Sequence, residues 1–206
     1  MKSKEEIRNF VWKRMEDEGI ADFPRPVFGR IPNFISSNKT CEKLRTLDEY
    51  KKAKVIFVAP DSPLRRAREI ILEDGKTLIV ALPHIKDIVE IDERINIKEA
   101  AKISGFEKYG KPLKSKIDLM IEGSVAVDLK GNRIGKGKGY GDKEFEILKN
   151  KSFLNENLKI ITIVHEIQVF EDFSYLMNEK DVRVDIIITN KRIIYVNKIS
   201  DNEVKF

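Results

Sequence analysis

Sulfur and imidazole are scarce in this chain. One cysteine, Cys41, among 206 residues excludes an intrachain disulfide and a thiolate metal cluster. His84 and His165 are the whole supply of histidine. His165-Glu166 opens like a zinc-protease helix motif, but Val169 stands where the second histidine belongs, which argues against zinc chemistry there. No Ser-His-Asp arrangement or activated thiol emerges from the spacing. Long apolar runs are missing too. The N-terminus carries Lys and Glu where a signal peptide needs an apolar core, and nothing approaches a membrane span. A soluble, cytoplasmic protein without a membrane partner is expected.

What is abundant is charge of both signs. Charged residues make up 35% of the chain, with 39 basic against 34 acidic, a formal net charge of +5. Such a surface is laced with ion pairs, as is common in heat-adapted proteins. It favours anionic ligands without being a nucleic-acid coat. Hydrophobic residues at 41% suffice for a full core. The length fits one α/β domain over residues 1–206.

Ser3 with Glu6 reads as a capping box, followed by Ile7, Phe10, Val11 and Met15 at helical spacing and a stop at Gly19. Lys4 and Arg8, one turn apart, flank that apolar stripe. There they either snorkel at the core edge or point into a cleft. Residues 22–34 hold three prolines and should run extended, anchored by Phe23, Val27, Phe28, Ile31 and Phe34. Arg25 and Arg30 are expected in surface ion pairs.

Strands and helices then alternate. Val55–Ala59 and Thr77–Leu82 read as buried parallel strands, with a helix from Pro63 to Gly75 between them. Residues 86–116 have weak periodicity and suit a small excursion. Ile117–Ile121 and Ser124–Val127 are strand candidates on either side of Gly123. A helix from about Asp142 to Lys149 follows, and then strands at Ile160–Val164, Val184–Thr189 and Arg192–Val196. This rhythm predicts an α/β fold: an open, mostly parallel sheet with helices on both faces. Asp128, Asp181 and Asp185 fall at turns or strand ends and are expected to be turn or cap residues. His165 and Gln168, at a strand exit, are expected in hydrogen-bonded structural roles.

The most telling stretch runs from Arg133 to Asp142. Gly135, Gly137 and Gly139 alternate with Lys136 and Lys138, and Asp142 follows three residues on. Glycines so spaced let successive N–H groups approach one anion, and the lysines add positive charge. Asp142 can cap the next helix or hold Mg²⁺. The stretch is not a Walker A loop, because only three residues separate Gly131 from Gly135 and Gly137 follows Lys136. It is not a dinucleotide fingerprint either, since Tyr140 stands at the third glycine. Its place between a strand and a helix N-terminus favours a nucleotide polyphosphate.

Residues 117–128, the run Arg133-Ile-Gly-x-Gly-Lys-Gly-Tyr-x-Asp142, Gln168, Asp181, Val184–Thr189 and the pair Lys4, Arg8 together resemble the 5-formyltetrahydrofolate cyclo-ligase family (methenyltetrahydrofolate synthetases). The Ala21–Pro26 opening, Arg30–Phe34 and Thr162–His165 are most similar to its branch of methenyltetrahydrofolate-synthetase-domain-containing proteins.

The resemblance implies a fold like the NagB/RpiA/CoA-transferase group and an ATP-dependent ligase that forms C–N bonds. The substrate would be 5-formyltetrahydrofolate or a modified pterin, and the product 5,10-methenyltetrahydrofolate. It further implies that Lys4, Arg8, Arg133, Gly135, Lys136, Gly137, Lys138, Gly139 and Tyr140 bind ATP phosphates. Lys138 and Arg133 would be catalytic, with Mg²⁺ at Asp142. The chain departs from the family pattern at Gly141, where a second tyrosine is usual, and at Leu64-Arg65-Arg66, where an acidic residue is expected. It also lacks a tryptophan platform for the pterin, since Trp12 is its single tryptophan. The other reading is a non-catalytic nucleotide- or RNA-binding module of the same fold. A monomer or homodimer fits either.

Overall fold

The computed structural model describes residues 3–196. Its helices are α1 Lys4–Asp17, α2 Ser37–Cys41, α3 Asp48–Lys52, α4 Arg65–Glu73, α5 Ile97–Ala100, α6 Phe106–Tyr109 and α7 Tyr140–Asn150. Its strands are β1 Val55–Val58, β2 Thr77–Ala81, β3 Ile88–Ile91, β4 Lys111–Pro112, β5 Ile117–Glu122, β6 Ala126–Asp128, β7 Arg133–Ile134, β8 Leu154–Val164, β9 Val169–Phe170, β10 Ile186–Thr189 and β11 Ile193–Tyr195.

Eight strands form the main sheet in the order β11-β10-β8-β5-β1-β2-β3-β4. The inner five, from β10 to β2, run parallel, and β11, β3 and β4 add antiparallel edges. The continuous apolar runs of β1 and β2 are buried, as strands covered on both faces must be. From β1 the chain crosses through α4 to β2 on one side; from β5 it travels by way of α7 to β8 on the other. Right-handed crossovers in opposite directions place α4 and α7 on opposite faces. The order of the chain therefore reverses between β1 and β5. Ligands of open α/β sheets bind beyond the carboxyl ends of strands at such a reversal.

A second, smaller layer rests beside this sheet. β6 pairs antiparallel with β7 and parallel with β9. Together with α1 and residues 20–34 these strands enclose their own core, centred on Ile7, Val11, Trp12, Phe34, Val125 and Ile134. The Ser3 hydroxyl accepts from the Glu6 N–H at 3.1 Å, and Gly19 at φ +66° ends α1 region as expected.

Apolarity alone misplaced some side chains. Phe10 is 44% exposed, and Trp12 takes the inward position instead. Phe23 and Phe28 are exposed as well, so Val27, Ile31 and Phe34 anchor the proline-rich segment. Arg25 pairs with Glu16, the surface ion pair expected of it. Residues 124–127 do not extend the main sheet: β6 begins at Ala126 and belongs to the small one. Residues 86–116 widen the sheet edge through β3, β4 and two single-turn helices. Their packing is tight, since a Cβ on Gly105 would lie 2.1 Å from the Glu99 carbonyl oxygen.

Cys41 is buried, its thiol 3.5 Å from the Pro63 carbonyl oxygen, and burial pushes its pKa up to about 12. Asp128 accepts from the N–H groups of Lys130, Asn132 and Phe173, which makes it a turn anchor. Asp185 accepts from the Ile160 N–H. Gln168 donates to the carbonyls of Ser124 and Val125 and accepts from the His165 N–H, the structural role expected. The His165 ring sits edge-on to Phe34, and burial lowers its pKa.

Candidate functional site

A cleft of about 440 Å³ opens between the two layers. The main sheet contributes its carboxyl ends: Asp61 follows β1, and Glu122 is the last residue of β5. These strands flank the reversal point. At Gly123 the chain leaves the main sheet for the small one, and a Cβ there would lie 2.4 Å from Asp61 Oδ2. A larger residue at 123 would push that carboxylate aside. The small layer contributes Lys4 and Arg8 from α1 and the loop between β7 and α7.

That loop turns at Gly137 (φ +92°) and Gly139 (φ +66°), a region of backbone space that favours glycine. Gly139 is the N-cap of α7, so the helix begins at Tyr140 and Asp142 lies within its first turn rather than capping it. The 11-residue α7 directs the positive end of its dipole at the cleft. Lys4, Arg8, Arg133, Gly135, Lys136, Gly137, Lys138, Gly139, Tyr140 and Asp142 all line the one cavity. All the phosphate and metal positions inferred from sequence are thus gathered in one place.

Their local contacts differ. Lys4 Nζ lies 2.7 Å from Asp181 Oδ2, which puts Asp181 on the cleft wall as well. Arg8 Nε donates to the Gly135 carbonyl at 2.7 Å, fastening the loop to α1. Lys136 Nζ stands 3.2 Å from Asp61 Oδ1 and 5.9 Å from the centre of the Tyr140 ring. Lys138 is exposed, with no ion-pair partner among the described residues. Arg133 is sunk beneath the loop, its side chain 7% exposed; it donates to the Gly123 carbonyl at 2.8 Å and lies 3.4 Å from Asp142 Oδ1.

Under this basic rim lies an acidic floor that sequence reasoning missed. Asp61, Glu122 and Glu144 reach it from three distant parts of the chain. Glu122 and Glu144 are buried, and Glu122 Oε1 and Arg133 Nε have no hydrogen-bond partner among the described residues. Burial raises both glutamate carboxyls well above the usual range. The charges of Asp61 and Asp142 add to the effect at Glu122, and the charge of Glu122 adds to it at Glu144. Arg133 pulls both the other way. One signal in the sequence could have exposed the floor: Asp61 and Glu122 each stand at the exit of a strand that flanks the reversal.

The family model of the 5-formyltetrahydrofolate cyclo-ligase family matches residues 1–190. The chain belongs to the 5-formyltetrahydrofolate cyclo-ligase family. It is 37% identical over 205 residues to the bovine methenyltetrahydrofolate synthase domain-containing protein (Bos taurus) and 36% identical to the human one (Homo sapiens). Each alignment covers 93% of this chain and 53% of the relative, so the chain spans about half the length of these curated relatives. In structure it is similar to a 5,10-methenyltetrahydrofolate synthetase from Aquifex aeolicus, with a TM-score of 0.60 at 20% identity, covering 98% of this chain and 99% of that one.

Gly141, where the family resemblance leads to the expectation of a second tyrosine, is closely packed. A Cβ at 141 would lie 2.7 Å from Arg133 Nη2 and 2.9 Å from Glu122 Oε2, so a larger residue would displace the floor. Arg66 turns away from the cleft to pair with Glu42, Glu69 and Glu73, while Asp61, nearer the strand, faces into it.

The donor set suits Mg²⁺. Carboxylate oxygens are the hard ligands it prefers, and it is commonly held by one or two carboxylates with substrate phosphates completing the shell. Among the described residues no three His, Cys, Asp or Glu side chains form a ready-made cage. Among these residues, too, no helix is long and apolar enough to cross a membrane.

Proposed function

We propose that this cleft binds Mg·ATP and 5-formyltetrahydrofolate, and that the protein closes the latter to 5,10-methenyltetrahydrofolate. The formyl oxygen attacks the γ-phosphorus, a P–O bond forms, and ADP leaves. The neighbouring nitrogen then adds to the activated formyl carbon and loses its proton to solvent, and phosphate departs as the C–O bond breaks. Little covalent chemistry falls to the protein in such a transfer; positioning and charge neutralisation carry it.

Each group has a place in this scheme. The loop N–H groups from Gly135 to Gly139 cradle phosphate oxygens, and Lys136 and Lys138 neutralise their charge. Lys138, unpaired and exposed, is free to follow the γ-phosphoryl group as it moves. Lys4 and Arg8 close the rim from α1, and Tyr140 borders the phosphates at the head of α7. Arg133 acts from beneath, holding Asp142 and the Gly123 carbonyl in register. Asp142, with Asp61 across the cleft, would hold Mg²⁺, which would supply charge neutralisation to the phosphates.

The observation that carries this reading is the convergence of Lys4 and Arg8, more than a hundred residues from the loop in sequence, on the same wall as Lys136 and Lys138. Calorimetric titration tests it. Saturable Mg·ATP binding that weakens without Mg²⁺ is expected, followed by binding of 5-formyltetrahydrofolate to the nucleotide complex. Absence of nucleotide binding would defeat the proposal.

A further inference from the structure

Arg68 of α4 is the one arginine among the described residues that is almost wholly buried, at 2% exposure. Its guanidinium makes no ion pair within 4 Å among these residues. Nη1 donates to the carbonyls of Ala59 at 2.9 Å and Asp61 at 3.2 Å, and Nε donates to the carbonyl of Ala101 at 2.9 Å. The guanidinium carbon lies 5.7 Å from the centre of the Phe106 ring. Burial pushes its pKa down to about 10, so the group keeps its charge at neutral pH.

Burying a charge without a paired carboxylate is costly, and an apolar side chain would fill the same volume without that cost. The carbonyls it reaches indicate what the charge does. Ala59 and Asp61 bracket the turn that leaves β1 and presents the Asp61 carboxylate to Lys136. Ala101 ends α5, and Phe106 opens α6, in the stretch that also carries Ile103 into the cleft wall. The forked donor thus ties the acidic floor to the excursion through one rigid group, a geometry that an ammonium cannot reproduce. The backbone of Asp61 is held a second time. Its carbonyl also accepts from the Leu64 N–H at 3.1 Å, and its carboxylate packs on Gly123.

Building on the proposed Mg·ATP site, we infer that Arg68 is a positioning residue: through the Ala59 and Asp61 carbonyls it holds the Asp61 carboxylate at the nucleotide cleft, and through Ala101 and Phe106 it keeps the excursion wall seated beside it.

A double-mutant cycle on the full chain tests this, using Arg68→Lys, which keeps charge and stem but not the fork, together with Asp61→Asn. Mg·ATP affinity is the first readout. Each single change is expected to weaken binding about tenfold, in the range seen when outer contacts of a metal site are removed. The double variant should bind no more weakly than Asp61→Asn alone, because Arg68 acts through Asp61. Multiplying losses, or unchanged affinity in Arg68→Lys, would overturn the inference.

Hydrogen exchange in the unliganded protein is the second readout, and it does not depend on the nucleotide. Arg68→Lys should speed exchange at residues 97–109 while leaving β5 and β8 protected; unchanged exchange at 97–109 would also overturn it. If the native protein binds no Mg·ATP, the positioning role falls together with the proposed function. Accelerated exchange would in that case show the clamp to be purely structural. Should Arg68→Lys fold poorly, Phe106→Leu, which removes the stacked ring but leaves the guanidinium in place, is expected to reproduce the exchange change with less than a threefold loss of affinity.

Discussion

The rim and the floor of the cleft are built in opposite ways. The rim is basic, solvent-facing and largely contiguous: five residues of one loop supply most of it, with Lys4 and Arg8 added from α1. The floor is acidic and dispersed, with half-buried Asp61 and buried Glu122 and Glu144 brought together only by strand order and the placement of α7. Exposed cations cost the fold little and act directly on a ligand. Buried carboxyls strain the fold unless something offsets their charge. The rim should therefore govern binding and rate, and the floor should couple binding to stability and pH.

The strongest challenge to this division is Lys138→Ala. Lys138 is exposed and unpaired among the described residues, so its loss should leave the melting temperature unchanged. Turnover of 5-formyltetrahydrofolate should nevertheless fall about 100-fold or more, the scale of removing one donor to a transferring group. An equal loss of stability and activity would erase the distinction between rim and floor.

Two glycines provide the next test. Gly141→Ala sets a methyl group against Glu122 of the floor and the Arg133 guanidinium beside it, and should cost about 1–3 kcal/mol of stability as overpacking. Gly139→Ala meets nothing within 4 Å and carries only the penalty of a positive φ, about 1 kcal/mol. Denaturant unfolding of the two variants compares them directly.

Glu122→Gln tests the floor through pH. Burial raises the folded-state pKa of Glu122 above its unfolded value, so the folded protein holds the extra proton. Its contribution to stability is then complete below the unfolded value of about 4.3 and is lost as pH rises through the folded value near 7. The glutamine variant lacks this decline, and at pH 8 should be more stable relative to native than at pH 4, by about 2 kcal/mol. A pH-independent difference would mean that the carboxyl is already ionised in the fold. Bound cation should also lower the carboxyl's pKa, so nucleotide binding should release protons.

The smallest expected effect is on Cys41, at the end of α2 in the buried core that packs on the main sheet. Its buried thiol, with a pKa raised to about 12, should be modified at pH 8 only at the rate of unfolding, with or without Mg·ATP. Reagent kinetics followed by mass spectrometry measure this.

Much of this architecture is legible in the sequence, for identifiable reasons. The glycine–lysine loop is contiguous, so its spacing alone marks an anion site, and Ser3 marks the start of α1. The apolar runs of β1 and β2 are continuous because both faces of those strands are covered. Asp61, Glu122, Glu144 and Arg68 resist such reading. Each resembles an ordinary surface charge until the order of strands is known, and nothing local distinguishes buried Arg68 from exposed Arg65 beside it in α4. Phe10, Phe23 and Phe28 mislead for the converse reason: apolarity does not by itself place a side chain inward. The excursion at 86–116 stays obscure because helices of four residues never complete a period.

In the proposed function, rim and floor together perform a ring closure driven by ATP. The most direct measurement mixes the protein with 5-formyltetrahydrofolate and Mg·ATP and follows the absorbance of methenyltetrahydrofolate. The account predicts a steady rise that needs both nucleotide and Mg²⁺ and nearly vanishes in Lys138→Ala. A flat trace from protein that binds Mg·ATP tightly would contradict it.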